Sequence, residues 1–325
     1  MTKIISKSPP ITTAQDRVGA DGILLSIIVT TYDLSRSEYL KRLVDSISIQ
    51  SKQTFEVIFV VENHVELLDF LNSYLKEKKV KNFRVIFNDS VQGISASRNM
   101  GVLASSSDFV SMVDDDVVLP ETWVGAVLEA FENENVVAVT GPVIPHWEDQ
   151  SMQWLPPEFH WLVGCSSWSH RSVFADTRNV WGANMAFRKA ELVKVGGFST
   201  EVGGVHGRRL HGEENELCLR LNSKSTGRIV FSPAMIVYHS IPRRRLGIRP
   251  IVKSSYDMGR TRRIYSRQLS MLGDERRVIT SLVKNWILLV PFKFIERPRS
   301  SFSSFCLSVI VICVAGIGFI GGARR

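Results

Sequence analysis

An alternation of short apolar runs and helical periods fills residues 24–141, and it leaves few folds open. Leu24-Leu25-Ser26-Ile27-Ile28-Val29-Thr30 is apolar until its end, as a strand buried on both faces must be. Ser35 and Glu38 have the spacing of a capping box, and Leu40, Leu43, Val44 and Ile47 follow at helical intervals. Phe55–Val61, Phe83–Phe87, Phe109–Val113 and Val136–Val139 read as further strands. Leu67, Leu71 and Leu75 mark a helix, as do the segments Ile94–Leu103 and Trp123–Phe131. Strands alternating with helices specify an α/β doubly wound, mostly parallel sheet. Residues 142–240 are richer in Trp and Gly and less regular, and read as the second half of one globule over 23–241.

Ligands of an open α/β sheet bind beyond the carboxyl ends of its strands. Thr30-Thr31-Tyr32, Glu62-Asn63 and Asp114-Asp115-Asp116 stand there. Three successive carboxylates repel one another unless a cation balances them. Mg²⁺ or Mn²⁺ would do so and could bridge to a diphosphate, whereas an acidic turn capping the Pro120–Glu121 helix start would need no metal. Gly93-Ile94-Ser95-Ala96-Ser97-Arg98-Asn99 opens a helix with small residues, suited to phosphate approach or to plain helix–sheet packing. Glu213 and Glu214 precede the apolar positions Leu217 and Leu221. Adjacent helical residues point apart, so one carboxylate can face a cleft as general base while the other holds a neighbour. His239, after the Ile229–Tyr238 stretch, is a metal ligand or a structural histidine.

The net charge of +8 is unevenly spread. Residues 1–241 carry 23 Lys/Arg against 28 Asp/Glu, whereas 242–300 carry 15 against 4. Between Arg299 and Arg324 lie 24 uncharged residues, 11 of them Val, Ile, Leu or Phe. As a helix this run is about 36 Å long, enough for a hydrocarbon core of about 30 Å. It reads as a transmembrane or membrane-embedded helix over 301–323, behind a basic membrane-surface helical segment over 242–300. The positive flank places the body on the cytoplasmic side of the cell membrane. Nucleic acid is not expected, because the basic section lacks interleaved aromatics. Met1–Asp21 is a polar, flexible segment without a signal-peptide core, and four scattered cysteines read as reduced thiols.

Taken in order, SIIVTTY, FVVEN, GISASRN, MVDDD, GANMAFR with GGF, GEENELCLR and VYH resemble the family 2 inverting glycosyltransferases of GT-A fold, over about residues 24–240. The resemblance implies that Thr30, Tyr32 and Glu62 hold the uracil of a UDP-sugar and that Arg98 helps hold the nucleotide. It implies that Asp114 and Asp115 contact ribose and metal, and that Asp116 binds the metal, with His239 completing the site or touching phosphate. Gly182, Ala183 and Asn184 would line the donor-sugar pocket. Glu214 would be the base, with Glu213 as the alternative, since many members have Glu-Asp there and Asp in place of Glu62. PPEFHWLVG, RNVWGANMAFR, GGFSTEVGG and the hydrophobic C-terminus are similar to archaeal glucosyl-dolichyl-phosphate glucuronosyltransferases. That implies a lipid-linked saccharide acceptor and a glucuronate donor whose carboxylate meets Arg178, Arg208 or Arg209. Other acceptors, a polysaccharide or a protein, stay open. So do a sugar nucleotidyltransferase, although no Gly-rich phosphate loop follows the first strand, and a membrane-anchored binding module.

Overall fold

The structure, a computed structural model, describes residues 22–90, 93–150, 153, 155–166, 174–201, 212–265 and 298–321. In chain order the elements are β1 (Leu25–Thr31), α1 (Ser37–Ser48), β2 (Phe55–Glu62), α2 (Val65–Glu77), β3 (Phe83–Asn88) and α3 (Ile94–Ala104). Then come β4 (Phe109–Asp114), β5 (Val117–Val118), α4 (Trp123–Ala130), β6 (Val136–Thr140), β7 (Val143–Trp147) and β8 (Ala175–Asp176). β9 (Asn184–Arg188), α5 (Lys189–Lys194), α6 (Glu213–Lys224), β10 (Arg228–Phe231), β11 (Val237–Ile241), α7 (Ile248–Tyr265) and α8 (Pro298–Gly321) complete the chain. It divides into two compact units, residues 1–144 with 170–240 and residues 145–169 with 241–325.

In the first unit eight strands form one sheet in the order β3-β2-β1-β4-β9-β6-β10-β8. β1 pairs in parallel with β2 on one side and β4 on the other. The winding therefore reverses between β1 and β4, and the switch point falls where Thr30 lies opposite Asp114. β9 runs antiparallel between β4 and β6, so the sheet is mixed in its second half. A core around Ile28, Ile58, Val60, Met112, Met185 and Phe187 fills the sheet face. Each such side chain stabilises by about 1.5–3 kcal/mol through burial. α3 lies very close to the sheet, for a Cβ on Gly101 would stand 2.4 Å from the Ile28 side chain.

The start of α1 differs from the expected capping box. Asp33, not Ser35, does the capping: its carboxylate accepts the Ser35 N–H at 2.8 Å ahead of a short 3₁₀ turn, Leu34–Arg36. The apolar stretch Ile229–Tyr238 holds most of β10 and the start of β11, with residues 232–236 between them. In the second unit a 3₁₀ helix, Pro157–Val163, packs on α7, and α7 packs on α8. Among the described residues no helix is long and apolar enough to cross a membrane. The N-terminal segment 1–21 and most of the basic segment, residues 266–297, lie outside the described residues.

Candidate active site

Three strand ends and one helix start converge at the switch point. β4 ends on Asp114, and the next two residues are both buried and share one partner, Arg36. Asp115 accepts the Thr31 hydroxyl at 2.7 Å and the Arg36 Nε at 2.8 Å. Asp116 pairs with the same guanidinium through Oδ2 at 2.7 Å, and its buried Oδ1, which accepts no hydrogen bond among the described residues, lies 3.0 Å from His239 Nε2. β11 brings His239 there by pairing antiparallel with β5, setting His239 opposite Val117, and the Ser240 N–H donates to the Asp116 carbonyl. Asp114, Asp116 and His239 thus offer two carboxylate oxygens and an imidazole nitrogen, all within 4.8 Å of one another. Hard oxygen donors with one imidazole suit Mn²⁺ or Mg²⁺. Asp115 is no part of that group, contrary to the expectation that it contacts the metal, because Arg36 and Thr31 occupy its oxygens.

Burial governs the electrostatics here. It raises the Asp114 carboxyl, and the Asp116 charge adds to the rise. Burial likewise lifts Asp115 to about 6, against the pull of Arg36. Arg36 itself is held above the usual guanidinium range: burial works against its charge, but Asp115 and Asp116 more than offset that.

Arg98, on α3, is buried and joins three parts of the site. It donates to the Glu213 carboxylate at 2.9 Å and to the Gly182 carbonyl at 3.2 Å, and lies 3.5 Å from Asp114. Its guanidinium also stacks over the Phe198 ring at 5.4 Å. The neighbouring Asn99 closes the Gly196-Gly197-Phe198 turn, accepting the Phe198 N–H and donating to its carbonyl. Arg220, four residues on from Glu216 along α6, pairs with that carboxylate and donates to the Val195 and Gly197 carbonyls. These bonds hold the start of α6 against α3. Glu213 is thereby committed to Arg98, while Glu214 is half-buried with its carboxyl pushed up to about 8 by burial and by the Glu213 charge. A carboxyl poised near neutrality is suited to general-base work.

The remaining expected residues separate into groups. Glu62 faces the loop before α3, accepting the Gly93 N–H at 3.0 Å and the Ser97 hydroxyl at 3.1 Å. Thr30 is half-buried at the end of β1 and Tyr32 is exposed just beyond it. Gly182 and Ala183 form the turn into β9, and Gly182 touches Arg98. Asn184 departs from its expected place in a sugar pocket: it is fully buried, with its side chain spent on the Met235 and Pro142 carbonyls and the Trp123 indole N–H. It braces strands instead. Arg178 stands half-buried ahead of that turn, while Arg208 and Arg209 lie outside the described residues. All four cysteines are free, and burial raises the Cys218 thiol to about 12.

No motif in the sequence singles out Arg36, and Asn99 and Arg220 stand out there only as members of the GISASRN and GEENELCLR runs. The signal for Arg36 was present, since three adjacent carboxylates demand a cation and Arg36 is a basic residue in the turn after β1. Its pairing over 79 positions was not legible.

The glycosyl transferase family 2 pattern matches residues 26–195, which holds the switch point and the three aspartates. The chain belongs to glycosyl transferase family 2. Over 301 residues it is 25% identical to a glucosyl-dolichyl phosphate glucuronosyltransferase of Haloferax volcanii, covering 92% of this chain and 96% of that protein. A succinoglycan biosynthesis protein of Rhizobium meliloti is 25% identical over 170 residues, about half of each chain. Among solved structures, a Pyrobaculum calidifontis mannosyltransferase in complex with GDP-Man and Mn²⁺ shares the fold at TM-score 0.61 and 13% identity, over 96% of this chain and 90% of that one. GalNAc-T7 with UDP, GalNAc and Mn²⁺ does so at TM-score 0.53 and 14% identity, over 85% and 58%. This family 2 glycosyltransferase thus has the GT-A fold, and its Asp114, Asp116 and His239 form a group that could hold a metal.

Proposed function

We propose that this glycosyltransferase moves a sugar, glucuronic acid in the reading favoured here, from a UDP-sugar to a polyprenyl- or dolichyl-phosphate-linked saccharide at the cytoplasmic face of the membrane. One observation carries the chemistry: a metal-suited triad and a carboxylate raised toward neutrality meet the same buried arginine network. The near full-length likeness to the Haloferax protein supports the lipid-linked acceptor and the glucuronate donor.

Asp114, Asp116 and His239 would hold Mn²⁺ or Mg²⁺, which when bound supplies charge to neutralise a leaving diphosphate. Thr30, Tyr32 and Glu62 flank the nucleotide side of the switch point, with Glu62 anchoring the loop ahead of α3. Arg98 fixes Glu213 and the Gly182 carbonyl, and so sets the distance between nucleotide end and base. Glu214 takes the acceptor hydroxyl proton onto a carboxylate oxygen as the acceptor's own hydroxyl oxygen attacks the anomeric carbon in line. The bond from that carbon to the UDP oxygen breaks, and inversion follows from the single displacement. Arg178, Arg208 or Arg209 would meet a glucuronate carboxylate, and of the three Arg178 lies among the described residues.

Membranes expressing the chain, given Mn²⁺ or Mg²⁺ and a panel of UDP-sugars, test this reading by organic extraction of labelled lipid. Metal-dependent label in the lipid phase, lost in Asp116→Ala, is expected, with UDP-glucuronate as the effective donor. UDP release without lipid label would move the acceptor to a polysaccharide or protein. Pyrophosphate release from a nucleoside triphosphate would replace the reading with a nucleotidyltransferase.

A further inference from the structure

From Val309 to Gly321 α8 carries no charged or hydroxyl side chain, and the structure covers only one side of it. Leu307, Val311 and Gly318 are buried on one side. Val309, Ile310, Ile317 and Ile320 point the other way at helical spacing and stay exposed, Ile317 by 61% and Ile320 by 75%. On the covered side lies α7, drawn in by glycines. A Cβ on Gly259 would stand 2.0 Å from the Ala315 carbonyl, and one on Gly318 would stand 2.2 Å from the Tyr256 carbonyl. Three residues back along α7 therefore correspond to three residues forward along α8, so the pair is antiparallel and in backbone contact. Arg263 stacks over Phe319 to fix the same seam.

α7 is not a helix that hydrocarbon accepts. It carries Arg249, Lys253, Asp257, Arg260, Arg262 and Arg263 along its length. A perpendicular α8 would take this companion, and those charges, to its own depth in the bilayer. Lying flat, the pair meets no such conflict: the exposed apolar side of α8 enters the acyl boundary and α7 remains among the headgroups. The positive charge of α7 complements an anionic leaflet.

We infer that α7 and α8 form an in-plane membrane anchor, with the Val309–Ile320 face of α8 buried in the interface of an anionic bilayer and α8 not crossing it. This rests on the membrane reading made under the proposed function, and answers whether the C-terminal run spans or embeds.

Cys313, exposed on α8, offers a reporter, since Cys165 and Cys218 are buried. The full chain carrying Cys306→Ser is spin-labelled at Cys313 and mixed with vesicles of phosphatidylcholine and phosphatidylglycerol, 3:1. Flotation reports binding, and oxygen against nickel-chelate accessibility reports depth. The inference expects flotation with the label about 5–10 Å into the interface. A label near mid-bilayer, about 15 Å deep, overturns in-plane placement while the membrane reading stands. No flotation overturns both, and self-association without flotation assigns the face to a second copy. Side is checked independently: a tag after Arg325 is digested together with the catalytic domain in inside-out vesicles, whereas a protected tag overturns the inference. Ile317→Glu should lower vesicle binding about tenfold or more, with the Tm of the lipid-free protein unchanged; wild-type binding counts against the face.

Discussion

Asp116 is held through one oxygen, and that hold is what makes Arg36 matter. Its Oδ2 pairs with Arg36, while its Oδ1 lies 3.0 Å from His239 Nε2 without accepting a hydrogen bond from it. The arginine also occupies Asp115, so it bridges the two carboxylates and leaves Asp115 outside the candidate ligand group. Outer partners of this kind typically set metal affinity by about 10–100-fold. Arg36→Met should therefore weaken Mn²⁺ binding by about 10–100-fold, measured by electron paramagnetic resonance titration without any substrate. Arg36→Lys should recover only part, because an ammonium cannot bridge two carboxylates as a planar fork does. Unchanged Mn²⁺ affinity in the methionine variant would reduce Arg36 to a packing role. Glu214 carries the second residue-scale prediction. Its carboxyl binds a proton more tightly in the fold, at about 8, than at the ordinary 4.5. The stabilisation from that proton is complete below about 4.5 and is lost as pH rises through about 8. Glu214→Gln removes this loss. In metal-free buffer the variant and wild type should melt together near pH 4.5, and the variant should melt a few degrees higher by pH 9. Transfer should fall by about 10²–10⁴-fold in the same variant. Wild-type kcat/KM should climb with pH up to about 8. A profile that ignores this range would move the base elsewhere.

At the scale of elements, α3 is the member on which the site turns. One of its faces meets β1 so closely that Gly101 has no room for a methyl group, and the other presents Arg98 and Asn99 to segments about a hundred residues away. Two effects compete in Gly101→Ala. The helix gains about 1 kcal/mol from alanine's propensity, while overpacking against Ile28 costs typically 1–3 kcal/mol. The net expectation is a loss of about 1 kcal/mol, with weakened Mn²⁺ affinity because Arg98 shifts relative to Asp114. Chemical denaturation with a parallel metal titration checks both, and a stabilised variant would mean the sheet yields there. This geometry also explains how far the sequence was legible. Periodicity located β1–β4 and α1–α4 almost to the residue, since burial of Leu40, Leu43, Leu67 and Leu71 is a local property of spacing. The aspartate run declared itself because repulsion between neighbours needs no tertiary knowledge. Long-range pairings left no such trace. Spacing leaves Gly93–Gly101 open between phosphate approach and helix–sheet packing, does not reveal the cation that claims Asp115, and places Asn184 in a sugar pocket only through family likeness. Each is decided by partners that only the fold supplies: Glu213, Arg36 and Met235.

For the molecule as a whole, charge and chemistry lie in different stretches of the chain. The triad and the arginine network occupy a first unit with an acidic balance, and the cationic surplus lies in residues 242–300. Such a division matters for an enzyme whose proposed acceptor is confined to a bilayer, because attachment raises the concentration of acceptor near the site without touching the reacting groups. Attachment and turnover should then be separable by mutation. Arg249 and Lys253 are exposed on α7, outside the site. Each basic residue near an anionic leaflet contributes about 1 kcal/mol, so Arg249→Gln with Lys253→Gln should lose about 2 kcal/mol, roughly 30-fold in vesicle affinity. The deficit should shrink in 1 M salt, where the Debye length is about 3 Å and the wild type loses the same attraction. With a short-chain, water-soluble acceptor the double variant should keep the wild-type kcat and KM. With a long-chain acceptor in anionic vesicles its apparent KM should rise while kcat holds. Equal losses on both acceptors would show that α7 serves the catalytic unit directly, and would remove the separation of roles on which the membrane reading depends.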